Sequence, residues 1–165
     1  MPYLLDSNIF IQAKNLHYSF DFCPAFWDWL DVGNQEGAVF SIERVRDELI
    51  GGDDQLAEWA KARQAEFFLP PDSDIVPSLA AVSTCAGGGG YEPGAVSQFL
   101  QVADYYLVAH ALAKGFDVVT HEVAANSVKK IKIPNACIAM RVKSMSPYEM
   151  LRTEKARFVL GPGGG

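Results

Sequence analysis

At 165 residues the chain fits one domain, and an apolar content of 49% excludes wholesale disorder. No apolar run approaches the roughly 18 residues that a membrane span needs, and the N-terminus lacks a signal-peptide pattern, so we expect a cytoplasmic protein that does not enter a membrane. Charge is uneven: residues 1–128 hold six Lys and Arg against eighteen Asp and Glu, whereas residues 129–165 hold eight against two. An acidic body beside a basic segment suits a cation site next to a phosphate-binding patch, although an unevenly charged solvated surface explains it equally well.

Hydrophobic spacing and capping residues predict short strands that alternate with helices. The predicted strands are 3–5, 37–41, 117–120 and 142–145, with 67–69 closing a helical section. The predicted helices begin at Ile9, Pro24, Ile42, Asp53 or Asp54, Ser73 (weakly helical), Gly94, Pro134 and Pro147. The predicted helix at Ile42 is capped by Ser41 and ended by Gly51, and the helix at Gly94 continues to Lys114. The helix at Pro147 opens with a Ser146–Glu149 capping box. We expect a three-layer α/β/α domain over residues 1–160, with a parallel central sheet, helices on both faces and a loose tail at 161–165.

In a parallel α/β sheet, ligands gather at the carboxyl ends of the strands. Asp6 and Glu122 follow two predicted strands at that edge. Asp6 could equally cap the turn that follows it, while Ser7 and Asn8 could hydrogen-bond its carboxylate or a water. Glu48 lies at the edge of a buried helical stripe, where an i, i+4 surface pair with Arg44 is the simpler explanation.

Asp104 is the acid that the chain explains least well. It is predicted to lie in mid-helix among apolar neighbours, with no Lys or Arg three or four residues away. Asp is a poor residue for a helix interior, and a carboxylate near the core is costly unless it is paired or bound to metal. The cysteines (Cys23, Cys85, Cys137) and histidines (His17, His110, His121) show no ligand spacing; we expect reduced, mostly buried thiols and a His110 on a helix surface.

Asp6, Glu48, Asp104 and Glu122 together are hard oxygen ligands, which select one or two Mg²⁺ or Mn²⁺ ions. Their order resembles the PIN-domain nuclease superfamily. The residues that carry the resemblance are Leu4-Leu5-Asp6-Ser7-Asn8, Glu48-Leu49, Ala103-Asp104 and Val118-Val119-Thr120-His121-Glu122; Ile133–Cys137 and Met150–Arg152 resemble an uncharacterised prokaryotic branch. Two features depart from the pattern: the last acid is Glu rather than the usual Asp, and the body of the chain is acidic.

The resemblance implies a magnesium-dependent endoribonuclease, often the VapC-like toxin of a toxin–antitoxin pair, with RNA as substrate and an antitoxin protein as partner. Asn8, Ser7 and Thr120 would then orient the acids. The basic residues that could contact the RNA backbone, or simply face solvent, are Lys129, Lys130, Lys132, Arg141 and Lys143. Alternatives are a DNA nuclease or phosphatase that uses the same acids, or a degenerate PIN-like module that binds only a partner protein. The sequence leaves open a homodimer, the RNA target and the role of Gly87–Gly90.

Overall fold

The computed structural model describes residues 2–161. Its strands are β1 (Tyr3–Leu5), β2 (Val39–Ile42), β3 (Phe68–Leu69), β4 (Asp117–Val119) and β5 (Ser144–Met145). Its α-helices are α1 (Ser7–Gln12), α2 (Pro24–Gln35), α3 (Glu43–Ile50), α4 (Gln55–Lys61), α5 (Val76–Gly87), α6 (Pro93–Gln101), α7 (Ala103–Lys114), α8 (Ile133–Ala139) and α9 (Pro147–Thr153). A π-helix (Ala13–His17) continues α1, and a 3₁₀ turn (Ser73–Ile75) precedes α5.

The five strands form one parallel sheet in the order β3-β2-β1-β4-β5. Leu4 and Leu5 of β1, and Val118 and Val119 of β4, are all 0% exposed. Because successive strand residues point to opposite faces, both faces of the sheet must be covered by other elements. The predicted α/β fold with a short-stranded parallel sheet is therefore confirmed.

Local sequence signals set several helix ends. Asp54 caps α4 by accepting a hydrogen bond from the Ala57 amide, and Ser146 caps α9 in the same way through the Glu149 amide. Helix α3 ends at Gly51, as predicted. Ser41, in contrast, does not cap α3, because its hydroxyl is buried and donates to the Leu5 carbonyl of the neighbouring strand at 2.6 Å.

Two further predictions were wrong. The stretch 94–114 is two helices that break at Val102, whose backbone is extended (φ −109°, ψ 167°). His110 is 2% exposed rather than on a helix surface, and burial lowers the pKa of its imidazole. The predicted last strand is present but shorter, Ser144–Met145 rather than 142–145. The predicted loose tail falls mostly on residues 162–165, which lie outside the described residues.

The cysteines partly fit the prediction. Cys137 is buried, Cys23 and Cys85 are half-buried, and all three are free thiols. Within residues 2–161 no helix is both long and apolar enough to cross a membrane.

Candidate active site

A cavity of about 920 Å³ opens at the carboxyl edge of the sheet. The four predicted acids, Asp6, Glu48, Asp104 and Glu122, all line it. They come from four separate parts of the chain: the end of β1, helix α3, helix α7 and the segment after β4. The parallel sheet brings the first and last of them to one edge, as expected for the carboxyl ends of adjacent strands.

Asp6 is the most deeply placed of the four acids, with 3% of its surface exposed. Its backbone amide extends the ladder by donating to the Val119 carbonyl at 3.0 Å, and its carboxylate accepts a 3.0 Å hydrogen bond from the Thr120 hydroxyl. The Ser7 hydroxyl lies 3.4 Å from the other carboxylate oxygen. The alternative that Asp6 merely caps α1 is wrong, because its side chain makes no capping hydrogen bond.

Burial is the main cause that raises the pKa of Asp6 from 3.8 to about 7. The negative charges of Asp104 and Glu122 raise it further, and the Thr120 hydrogen bond lowers it only in part. None of the four acids forms an ion pair with a Lys or Arg in the part of the chain that the structure describes. The ionised form of Asp6 therefore has no Lys or Arg partner to compensate its buried charge among the described residues.

Asp104 lies in the first turn of α7, not in mid-helix as predicted. A carboxylate is favourable at that position because the helix dipole is positive at the N-terminus, so the propensity argument for Asp104 was wrong. The burial argument holds in part, since the side chain is half-buried. Burial, followed by the charges of Glu122 and Glu48, raises the pKa of Asp104 to about 6, and Lys130 partly offsets them.

Glu122 reaches the same site through Thr120. Its backbone amide donates to the Thr120 hydroxyl oxygen at 3.1 Å, and that hydroxyl in turn donates to Asp6. Oε1 of Glu122 is fully buried and has no hydrogen-bond partner among the described residues. A buried carboxylate oxygen without a donor costs free energy, which a bound cation or water would recover.

Glu48 is exposed at the mouth of the cavity. The surface pair that would explain it without a function, Glu48 with Arg44, is not formed within residues 2–161. Arg44 instead lies over the ring of Tyr106 in α7, with its Cζ 3.8 Å from the ring centroid. Glu48 is therefore left free to face the other acids.

Two of the five predicted basic residues, Lys130 and Lys132, line the cavity. The other three, Lys129, Arg141 and Lys143, do not. Lys143 immediately precedes β5, at the amino edge of the sheet, whereas the acids follow the carboxyl ends of strands. Asn8 is exposed and lines the cavity, but the structure gives its side chain no hydrogen bond to any of the acids.

The sequence reasoning missed several lining residues: Glu43, Arg44, Asp47, Gln98, Gln101 and Tyr106. Glu43 and Asp47 are exposed and lie one turn apart on the polar face of α3, a pattern that by itself indicates only contact with solvent. That same face borders the cavity, so six carboxylates line it against three cations. The helical spacing of Glu43, Asp47 and Glu48 could have indicated that the three acids lie close together on α3. It could not show that this part of α3 lies beside α7 and its Asp104.

The donor set fits a hard divalent cation. Mg²⁺ and Mn²⁺ prefer carboxylate oxygens, and the unpartnered Glu122 oxygen beside the buried Asp6 carboxylate is an observation that such an ion would explain. Among residues 2–161, however, no three His, Cys, Asp or Glu side chains are already arranged to hold an ion. Mg²⁺ commonly binds through one or two carboxylates and keeps its waters, so a closed cage is not required.

The five-stranded parallel sheet and the acids at its carboxyl edge define an α/β protein that resembles a PIN domain. A chain in the crystal structure of VapBC2 from Rickettsia felis, bound to a DNA fragment from their promoter, superposes with a TM-score of 0.57. The match covers 88% of this chain and 98% of that chain at 16% identity, so it shows the fold alone. No curated protein matches the chain. The chain belongs to the family described as a domain of unknown function, DUF4411, whose model matches residues 3–158.

Proposed function

We propose that this protein is a metal-dependent endoribonuclease that hydrolyses RNA phosphodiester bonds in the carboxylate-lined cavity. The observation that supports it most is Asp6, a carboxylate that is 3% exposed and has no cationic partner among the described residues. Its pKa is raised first by burial and then by its acidic neighbours. Such a group weakens the fold unless a cation binds it. Perturbed carboxylates that converge in a cleft are typical of catalytic sites.

Asp6 and Asp104, with Glu48 or Glu122, would hold one or two ions. A bound Mg²⁺ or Mn²⁺ would supply Lewis-acid activation of water and of the phosphate. Thr120 orients Asp6 through its hydroxyl and fixes the backbone of Glu122, so it sets the position of two acids at once. Ser7 and Asn8 adjoin Asp6 and would orient water. Lys130 and Lys132 would bind phosphates of the RNA strand, and the expected products carry 5′-phosphate and 3′-hydroxyl ends.

The PIN-like fold also supports a role as the toxin of a toxin–antitoxin pair in the cytoplasm, with an antitoxin protein as partner. Induced expression should then arrest growth of the host cell, whereas Asp104→Asn should not. If both proteins arrest growth, the toxicity does not depend on the carboxylate site.

Cleavage of a fluorescent single-stranded RNA tests the nuclease proposal directly. We expect cleavage in Mg²⁺ or Mn²⁺, none in EDTA, and a loss of at least 100-fold, an order-of-magnitude figure, for Asp104→Asn. Asp28→Asn is the matched control, because it makes the same chemical change at an exposed position of α2 that does not line the cavity. Undiminished cleavage by Asp104→Asn would refute the assignment.

The same assay separates the alternatives. Equal cleavage of single-stranded DNA, or turnover of a small phosphate ester, would indicate a DNA nuclease or a phosphatase. A PIN-like module that only binds a partner protein predicts no cleavage and no rise in melting temperature with Mg²⁺ or Mn²⁺.

A further inference from the structure

Arg44 contacts an aromatic ring in the cavity that the acids line. It lies in the first turn of α3, is exposed, and stacks on Tyr106 with its Cζ 3.8 Å from the ring centroid. Both residues line the cavity that contains Asp6 and Asp104. A cation–π contact of this kind uses the charge of the guanidinium without using its N–H groups as hydrogen-bond donors to a protein acceptor.

Arg46 and Arg63 differ from Arg44 in their hydrogen bonds, although Arg63 also lies over an aromatic ring, with its Cζ 4.1 Å from the Trp59 centroid. Arg46 donates to the carbonyls of Ala60, Lys61 and Arg63, and Arg63 donates to both carboxylate oxygens of Asp31. Arg44 makes no side-chain hydrogen bond and no ion pair with any residue between 2 and 161. Arg46 thus ties α3 to the end of α4 and the segment after it, whereas the N–H groups of Arg44 are available to a ligand.

The position of Arg44 indicates which ligand fits. It precedes Glu48 by four residues, which places it about 6 Å along the helix axis from that acid. Lys130 and Lys132 line the same cavity from the segment before α8. The cavity is accordingly lined by cations from two different elements as well as by the acids, and such cations suit contact with more than one phosphate of an anionic strand.

We propose that Arg44, oriented by Tyr106, binds the backbone phosphate next to the one that is cleaved in a single RNA strand. This inference rests on the proposed ribonuclease function and adds a substrate-binding residue to it. The planar fork of Arg44 would contact two phosphate oxygens at once. Tyr106 is a positioning residue: it holds the guanidinium before the strand arrives, so that less side-chain freedom is lost on binding.

The test is RNA binding by the metal-free protein in EDTA, where cleavage does not interfere, measured by fluorescence anisotropy over a range of salt concentrations. Arg44→Ala should weaken binding about tenfold and lower the slope of log affinity against log salt by about 0.7, the value for one phosphate contact on a single strand. Arg44→Lys should keep the slope but bind several-fold more weakly, because it keeps the charge and loses the fork. Tyr106→Leu should also keep the slope and weaken binding.

Lys61→Ala is the matched control, since it removes one exposed positive charge from a residue that does not line the cavity. In Mg²⁺, the Arg44 variants should raise KM far more than they lower kcat. A second RNA strand carries an uncharged methylphosphonate at the linkage next to the mapped cleavage position. Wild type should bind this strand more weakly than the unmodified strand, whereas Arg44→Ala should bind both strands equally. If Arg44→Ala loses affinity but the methylphosphonate weakens its binding as much as that of wild type, Arg44 contacts a base and the phosphate contact is refuted.

Two failures are distinguishable. If wild type cleaves and binds RNA, and Arg44→Ala folds normally yet matches it in affinity and salt slope, this inference is wrong while the ribonuclease function stands. If wild type neither binds RNA at low salt nor cleaves it, both are wrong.

Discussion

Replacing Asp6 with Asn tests whether this carboxylate is kept for a ligand or for the fold. In the apo protein, burial raises the pKa of Asp6 from 3.8 to about 7. The folded state therefore holds a proton on Asp6 more tightly than the unfolded state does. The stability that comes from this difference is fully present below about pH 4 and is lost as the pH rises through about 7.

The size of the effect follows from linkage. At about 1.4 kcal/mol for each tenfold difference in proton affinity, the full change is at most about 4 kcal/mol. Between pH 5.5 and pH 8, wild type should lose about 2 kcal/mol of unfolding free energy from this group alone. Asp6→Asn has no such titration and can still accept the Thr120 hydrogen bond through its amide oxygen.

Urea unfolding in EDTA, followed by tryptophan fluorescence at both pH values, measures this difference. We expect Asp6→Asn to be more stable than wild type at pH 8 and to show a weaker pH dependence, with Asp28→Asn behaving as wild type. Mg²⁺ at about 100 times its Kd should stabilise wild type at pH 8 by about 2.7 kcal/mol, but not Asp6→Asn. If Asp6→Asn is instead less stable by the same amount at both pH values, the carboxylate serves the fold and the reasoning fails.

Three further predictions follow from the geometry. Thr120→Val, which removes the donor to the Asp6 carboxylate, should weaken Mg²⁺ or Mn²⁺ binding about tenfold or more by calorimetric titration, and an unchanged Kd would exclude an orienting role. Glu122→Gln should lower the pKa of Asp104, because the charge of Glu122 raises that pKa more than any other charge does. Carboxyl NMR titration of the metal-free protein measures it, and an unchanged pKa of Asp104 would show that the two side chains are not close. Gly115→Ala should cost about 1 kcal/mol in urea unfolding, since Gly115 has φ +75° at the end of α7, and an unaltered midpoint would contradict that strain.

Strand ends and most helix caps could be predicted from the sequence because they depend on neighbouring residues. The apolar run of β1 stops at Asp6 and that of β4 stops at Thr120, and these two side chains are hydrogen-bonded at the carboxyl edge of the sheet. Asp54 and Ser146 cap helices through bonds to amides three residues ahead. The wrong cap, Ser41, is the one whose hydroxyl found a partner in another strand.

Features that depend on distant residues could not be predicted. The break at Val102 carries neither Gly nor Pro, and the apolar spacing continues through it, yet it places Asp104 in the first turn of α7. Arg44 was expected to face Glu48 because they are one helical turn apart, whereas Tyr106, more than sixty residues away, takes its guanidinium. Lys143 was grouped with Lys130 by proximity in sequence, but the direction of β5 places it at the opposite edge from the acids.

The acids differ in how firmly the fold fixes them. Leu5 pairs with Val119, so the next residue of each strand, Asp6 and Thr120, must lie side by side, and their hydrogen bond follows from the sheet register itself. Glu48 projects from an exposed helix face, and Lys130 lies in a segment without regular structure between β4 and α8. One half of the site is therefore built on strand ends that cannot shift without unpairing the sheet, and the other half on side chains that can adjust. That division fits the observation that no three His, Cys, Asp or Glu side chains of the described residues are grouped to hold an ion. In the proposed metal site Asp6 would be the preorganised ligand, at a position where the fold bears the cost of its charge.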